Sequence, residues 1–360
     1  MANTISFNTP LAINDLTRAI EVERGAVTFV INGEPGIGKS TIHQELKRIL
    51  GDGYDHIYVD CPVKDFSDIG MYIPNHESRS LSFYPSDLFK LSSPKPKVIM
   101  LDEFAKSPKL LQTMWTRLML EHSIGDVQPP AGSIVFATSN NSSDGVGDTM
   151  LAHAGNRVCI VQMRKPSAME WLSWASENGI SATTRAWVAM ESRCLASYLD
   201  GGQEDNPYIF RPGKSGLSFV TPRSLVKNDI HVRNRSRLGE TVTKALIAGT
   251  VGVSAGESMA AYLSLDKELR TTKEVLADPA NIPLPEKPAA AFMMMFNAID
   301  DMVTQDDLSN FMIFINRLKS SEIQEMFFSM LWQNKRTTRI ARNNKDVLAW
   351  SQDNLELLMP

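Results

Sequence analysis

The stretch Gly33-Glu34-Pro35-Gly36-Ile37-Gly38-Lys39-Ser40, followed by Thr41, carries the glycine, lysine and hydroxyl spacing G-x-x-x-x-G-K-[ST]. Glycines at those places let successive backbone N–H groups turn inward around a phosphate, and a helix opening at the last residues adds positive potential. Lys39 is then expected to reach the β- and γ-phosphates of a nucleotide, and the Ser40 hydroxyl to ligate Mg²⁺. The alternative is a chance glycine-rich turn. Against it stand the flanks: the apolar run Ala26-Val27-Thr28-Phe29-Val30-Ile31 precedes the loop and a helix-like stretch, 41–50, follows it.

A second group of residues has the matching chemistry. Val98-Ile99-Met100-Leu101 runs into two adjacent carboxylates, Asp102 and Glu103. Ligands of open α/β sheets bind at the carboxyl ends of the strands, so these acids are expected beside the loop. Asp102 would organise the Mg²⁺ shell and Glu103 would act as general base on an attacking water. The alternative is a strand that ends in solvated acids. Asn140 follows another strand-like run, 134–138, and its amide is placed to bond the γ-phosphate or the water. Read otherwise, it opens a turn, since Asn140-Asn141-Ser142-Ser143-Asp144-Gly145 is rich in turn formers.

The elements that must hold these residues alternate. Strands are expected at 26–32, 56–60, 97–103, 133–138 and 158–163, with helices at 39–50 and 108–121. Continuous apolar strands between helices predict an α/β fold, a parallel sheet covered on both faces. The segment 61–96 holds Pro62, Pro74, Pro85, Pro94 and Pro96 and reads as loop-rich. After Pro166 the pattern turns helical, at 168–176 and 182–199. Four prolines in 277–288 mark a linker, and amphipathic helices follow at 289–302, 305–319 and 320–334. Phe311, Ile315 and Leu318 form one apolar face there, and the Met and Phe clusters read as core packing.

Length and composition set outer bounds. At 360 residues the chain should hold two or three units, at roughly 150 residues each. A net charge of −4 gives no global field toward nucleic acid or an anionic membrane. Cys61, Cys159 and Cys194 are too far apart to suggest a metal motif, which points to a reducing compartment without disulfides. The N-terminus lacks a signal pattern. The longest apolar run, 289–296, falls short of the roughly 18 residues a membrane span needs. A soluble intracellular protein is expected.

In the order of these elements the chain resembles the AAA+ ATPases, and within them the MoxR-like group found in bacteria and phages. The resemblance covers roughly residues 10–230. It includes the phosphate loop, Leu101-Asp102-Glu103, and Ala137-Thr138-Ser139-Asn140 as the sensor-1 strand. Residues 118–132 look like the hairpin that MoxR-like members insert before sensor 1. Asn156-Arg157-Val158 falls where the family has an arginine finger at a helix end, with Arg164 as its rival. Glu170-Trp171-Leu172-Ser173-Trp174-Ala175 resembles the start of the helical lid, and Thr221-Pro222-Arg223-Ser224 its sensor-2 arginine motif.

The resemblance implies a P-loop AAA+ core at 1–165 with a five-stranded parallel sheet, then an α-helical lid at 166–276. A Pro-rich linker at 277–288 and a helical region at 289–360 complete the expected organisation. It further implies Mg²⁺-dependent hydrolysis of ATP in a homo-oligomeric ring, usually hexameric, in the cytoplasm of a bacterial or phage-infected cell. Arg157 would act in trans on the neighbour's γ-phosphate while Arg223 contacts its own nucleotide; such a finger is worth about 10³–10⁵ in rate. Family members often remodel a protein partner, in some cases one with a von Willebrand A-type domain. Residues 61–96 follow no family pattern, so the base pocket and any pore loop there stay unassigned, and 240–360 match nothing beyond being helical.

Other functions compete. A nucleic-acid motor or loader on the same core would draw on Lys227, Arg233, Arg235 and Arg237, although the stretch lacks interleaved aromatics. A phosphate-loop kinase for small molecules would need neither Arg157 in trans nor the Asp102-Glu103 pair. A non-hydrolysing nucleotide switch would not need Glu103.

Overall fold

The computed structural model describes residues 9–77, 79–141, 157–213, 218–265 and 269–353. Its strands are β1 (Phe29–Asn32), β2 (Asp55–Asp60), β3 (Gly70–Asn75), β4 (Ser80–Pro85), β5 (Lys97–Asp102), β6 (Ile134–Ser139) and β7 (Cys159–Gln162). Five of them form one parallel sheet in the order β2-β5-β6-β1-β7. Side chains alternate between its faces, and both faces are covered. Phe29, Ile31, Val98, Met100, Ile134 and Phe136 pack with Leu16 and Ile20 of α1 (Ile13–Glu23) and Ile42 and Leu46 of α2 (Thr41–Leu50). Val30, Ile57, Val59, Ile99, Leu101, Val135 and Ala137 instead join Leu111, Trp115, Leu118 and Met119. That division is the two-residue strand period made visible, and each fully buried Leu or Ile contributes about 1.5–3 kcal/mol relative to exposure.

The α/β architecture expected from the sequence is therefore the one observed. A five-stranded parallel sheet flanked by helices, with a helical region after it in the chain, is what the AAA+ resemblance implies for the fold. The carboxyl ends of three adjacent strands, β5, β6 and β1, lead respectively into Asp102-Glu103, Ser139-Asn140 and the phosphate loop.

Two expectations within this unit are corrected. The loop-rich stretch 61–96 contains a short helix, α3 (Phe66–Ile69), and an antiparallel hairpin of β3 on β4. Pro74 and Pro85 hid it from a propensity reading. In a two-stranded ribbon each strand is an edge, so a residue without an N–H can face outward at no cost to the ladder. Phe83 anchors the hairpin: it is buried and packs edge-on against Tyr72 at 5.1 Å. The hairpin expected at 118–132 is reduced to a single bridge between Ile124 and Val127. Residues up to 121 belong to helix α4 (Lys109–Glu121), and Pro129 and Pro130 supply no N–H for a longer ladder.

By its contacts the chain divides into two units, Met1–Lys165 with Arg211–Ser215, and Pro166–Phe210 with Gly216–Pro360. The second is helical: α5 (Ala168–Glu177), α6 (Ala182–Met190), α7 (Pro222–Arg233), α8 (Arg235–Leu238), α9 (Glu240–Val251), α10 (Val253–Leu263), α11 (Thr272–Ala277), α12 (Pro288–Asp301), α13 (Gln305–Arg317), α14 (Ser321–Gln333), α15 (Lys335–Ala341) and α16 (Lys345–Asp353). The helix expected over 182–199 ends at Met190 and continues as a 3₁₀ turn, Ser192–Leu195. One apolar core runs from Trp171 and Leu172 through Phe292, Met295 and Phe296 to Phe328 and Trp350. The lid expected at 166–276 and the helical region expected at 289–360 thus share a core. The proline-rich connection between α11 and α12 is tied into it by buried Ile282 and by an Arg317 guanidinium that donates to the Pro279 carbonyl at 2.8 Å.

Candidate nucleotide site

The loop Gly33–Ser40 leaves β1 and enters α2 at Thr41. Gly38 has φ 103°, a conformation L side chains rarely adopt. Gly33 is needed for proximity instead: a Cβ there would lie 2.7 Å from Ile37 Cδ1 and 3.0 Å from the Met163 carbonyl oxygen. Thr41 N–H donates to the Gly38 carbonyl at 2.9 Å, so the helix starts as a tight turn directly out of the loop.

Lys39 is 6% exposed, and its ammonium donates to three acceptors: the Gly33 carbonyl at 2.7 Å, the Glu34 carbonyl at 2.9 Å and Asn140 Oδ1 at 2.8 Å. The cation is thus held at the mouth of the loop by the loop itself and by the tip of β6. Ser40 Oγ donates to Asp102 Oδ2 at 3.2 Å. Two hard oxygen donors side by side are the ligand chemistry Mg²⁺ takes, so Ser40 and Asp102 fit the ion the sequence implied. Among the described residues no group of three or more His, Cys, Asp or Glu could hold a metal on its own.

Asp102 is the most heavily bonded acid here. Thr138 Oγ1 donates to its Oδ1, and Tyr58 OH donates to its Oδ2 at 2.6 Å. Glu103 sits one residue past the strand in the left-handed region, φ 51° and ψ 37°. For a residue with a Cβ that costs on the order of 1–3 kcal/mol, a strain found where a side chain must be aimed. Its Oε2 accepts from Lys106 Nζ at 2.7 Å, and its Oε1 accepts from Asn140 Nδ2 at 3.4 Å. Its backbone N–H donates to Thr138 Oγ1 at 3.3 Å. Asn140 therefore joins the two halves of the site, lysine through its oxygen and glutamate through its nitrogen.

The arginines divide differently. Arg157 is exposed and stands just before β7, at the sheet edge where β1 begins. There it borders a polar cleft with Thr28, Glu121, His122 and Cys159, at the end of the sheet opposite the phosphate loop. The helix expected to end at Asn156 lies outside the described residues. Arg164 follows β7 at its other end, and its backbone N–H donates to the Leu11 carbonyl at 2.9 Å. Arg223 belongs to the second unit, in the first turn of α7. That helix is capped reciprocally: Ser224 N–H donates to Thr221 Oγ1 at 2.9 Å and Thr221 N–H to Ser224 Oγ at 2.8 Å.

Three partners escaped the sequence reading: Tyr58, Lys106 and Thr138. Thr138 was visible as the residue two before Asn140, and Lys106 as a basic residue three after Glu103. Tyr58 becomes legible only once β2 is known to pair with β5, with Tyr58 opposite Met100 and Asp60 opposite Asp102. Beside Tyr58, His43 of α2 is held well below the usual histidine range, at about 4, by burial first and then by the charges of His56 and Lys47. Burial pushes the Cys61 thiol up, with Asp102 and Asp60 adding to the shift, so it is a packed thiol rather than a nucleophile.

No family model and no curated protein matches the chain. Among solved structures, the Holliday junction branch migration motor RuvB of Thermotoga maritima is similar at 15% identity, over 75% of this chain and 75% of that one, with a TM-score of 0.39. NtrX from Brucella abortus, in complex with ATP, is similar at 14% identity, over 98% of this chain and 69% of that one, with a TM-score of 0.38.

Proposed function

We propose that the chain is an AAA+ ATPase subunit of MoxR-like type. It binds ATP with Mg²⁺, hydrolyses it to ADP and phosphate, and works in a homo-oligomeric ring, hexameric by resemblance, as a chaperone-like remodeller of a protein partner. The observation that carries the ATPase reading is Asn140, bonded to Lys39 on one side and Glu103 on the other, with Asp102 and Ser40 alongside.

Each residue then has a role. Lys39 and the backbone of Gly33 to Thr41 bind the phosphates, whose anionic oxygens replace the carbonyls that Lys39 now holds. Glu103 takes the proton of the attacking water, and Asn140 fixes the distance between that base and the phosphate-binding lysine. Ser40 and Asp102 would hold Mg²⁺, which supplies charge neutralisation at the phosphates. Arg157 stands at the far end of the sheet from its own loop, which supports a role on a neighbour's γ-phosphate; Arg223 is assigned to the subunit's own nucleotide. The protein partner, with or without a von Willebrand A-type domain, rests on the resemblance alone.

The nucleic-acid reading draws less support. Arg233 pairs with buried Asp229 at 2.9 Å and Arg235 donates to the Val232 carbonyl at 2.7 Å, so two of the four cations in 227–237 have work within the fold. No helix among the described residues is long and apolar enough to cross a membrane.

The test is Mg²⁺-dependent ATP turnover per subunit across a wide dilution series, with Lys39→Ala as the blank. A rate that climbs with concentration is expected, because a neighbour completes each site. No turnover above the blank at any concentration would overturn the ATPase reading.

A further inference from the structure

Tyr58 stands on β2, a strand to which the ATPase reading gives no task, yet its hydroxyl makes the shortest of the Oδ2 contacts of Asp102, 2.6 Å against 3.2 Å for Ser40. An O–H···O⁻ bond of about 2.5–2.7 Å belongs to the strong, charge-assisted class. The phenol is 45% exposed as a residue, so burial alone does not fix it. A neighbour does. Its ring meets His43 of α2 at 6.2 Å with a tilt of 51°, and His43 in turn packs edge-on against His56 at 5.8 Å and 71°. The same helix α2 begins at Thr41, next to Ser40. Thus one helix carries Ser40 at its start and, a turn later, the ring that braces Tyr58.

The carboxylate of Asp102 has two rotational stops. Thr138 holds Oδ1 from β6, and Tyr58 holds Oδ2 from β2. Remove the second and Oδ2 keeps only the longer contact with Ser40, at 3.2 Å, so that the pair meant for the cation loses the stop that fixes it from outside. Groups that orient a metal ligand in this way typically change metal affinity 10- to 100-fold when lost, although they touch no metal themselves.

We propose that Tyr58 is a positioning residue for Asp102, and that it sets the affinity of the phosphate-loop site for its divalent cation. The proposal rests on the ATPase reading above, which supplies the cation. Nucleotide held by Lys39 and the loop backbone does not depend on Tyr58, so the two affinities should separate.

The experiment is Mn²⁺ binding, followed by electron paramagnetic resonance, with a non-hydrolysable ATP analogue present. Binding of the analogue without metal is measured in parallel, and thermal melting checks the fold. Tyr58→Phe keeps the ring against His43 and loses only the hydroxyl; its Mn²⁺ dissociation constant should rise about tenfold, with metal-free nucleotide affinity unchanged. A Mn²⁺ affinity within twofold of the parent overturns the proposal. His43→Phe keeps a ring beneath the phenol and should bind Mn²⁺ like the parent. An equal loss in both variants would mean that packing between α2 and β2, not the hydroxyl, is responsible, and the proposal falls. A parent chain that binds the analogue but no Mn²⁺ removes the cation reading and this proposal with it; a parent that binds neither removes the nucleotide reading itself.

Discussion

Asn140 spans Lys39 and Glu103: its Oδ1 accepts from the lysine ammonium at 2.8 Å and its Nδ2 donates to the glutamate at 3.4 Å. The lysine of the loop and a candidate base are thereby kept in register by one amide at a strand tip. Asn140 is 6% exposed, so the bridge works in a setting where water competes weakly for either bond.

Asn140→Ala should therefore separate binding from turnover. The Gly33 and Glu34 carbonyls still hold the Lys39 ammonium at the loop until phosphate oxygens take their place, so ATP affinity is expected to stay close to the parent's. Turnover should fall about 10²- to 10³-fold, the usual effect of removing one oriented donor from a reacting centre. Binding isotherms and steady-state rates on the same preparation check it. Lys39→Ala is the contrasting variant, with binding itself lost.

Glu103→Gln keeps the shape of the side chain and an oxygen for Lys106, but it cannot take a proton. Binding should persist while hydrolysis drops about 10²- to 10⁴-fold, leaving an assembly loaded with ATP. Filtration of the protein after incubation with labelled ATP would report the trapped nucleotide. A normal rate would remove Glu103 as the base and leave its left-handed backbone without a catalytic explanation.

The glycine-rich loop and the acids at the end of β5 are legible because their pattern is local: fixed residue types at fixed spacing, at strand ends marked by apolar runs. The sheet was legible for the same reason, since each of its strands is a short apolar run between polar turns. What escaped was relational. Tyr58 meets Asp102 only because β2 pairs with β5 in one register, and no spacing along the chain encodes that. The β3–β4 hairpin was masked by Pro74 and Pro85, residues read as loop markers that an edge strand tolerates. The shared core of the helical unit was hidden by prolines again: a connection that reads as a linker by composition carries Ile282 into the core.

Arg157 and Arg164 stand at opposite ends of β7, which makes them separable by complementation. Arg157→Ala should bind ATP normally and lose about 10³- to 10⁵-fold in hydrolysis. Mixed with Lys39→Ala subunits, it should recover part of the rate, since an intact loop can then meet an intact arginine across an interface. Recovery by Arg164→Ala in place of Arg157→Ala would transfer the finger to Arg164. Absence of recovery for both would argue that each site is complete within one subunit.

His43 gives the fold a pH dependence of definite sign. Its folded value is lowered from 6.5 to about 4, chiefly because burial disfavours the charged ring, with His56 and Lys47 adding repulsion. Between those two values the unfolded chain takes up a proton that the folded chain refuses. Stability tied to His43 is then fully present above about pH 6.5 and is lost as the pH falls toward 4. His56 is lowered as well, first by burial, and contributes in the same direction. His43→Gln cannot titrate, so the carboxylates common to both proteins cancel when the two are compared. Melting curves at pH 7.5 and pH 5 should show the parent losing ground to the variant at the lower pH. A gap that does not change with pH would mean His43 is protonated as readily in the folded chain as in the unfolded one, and that the ring behind Tyr58 is more open to water than its burial implies.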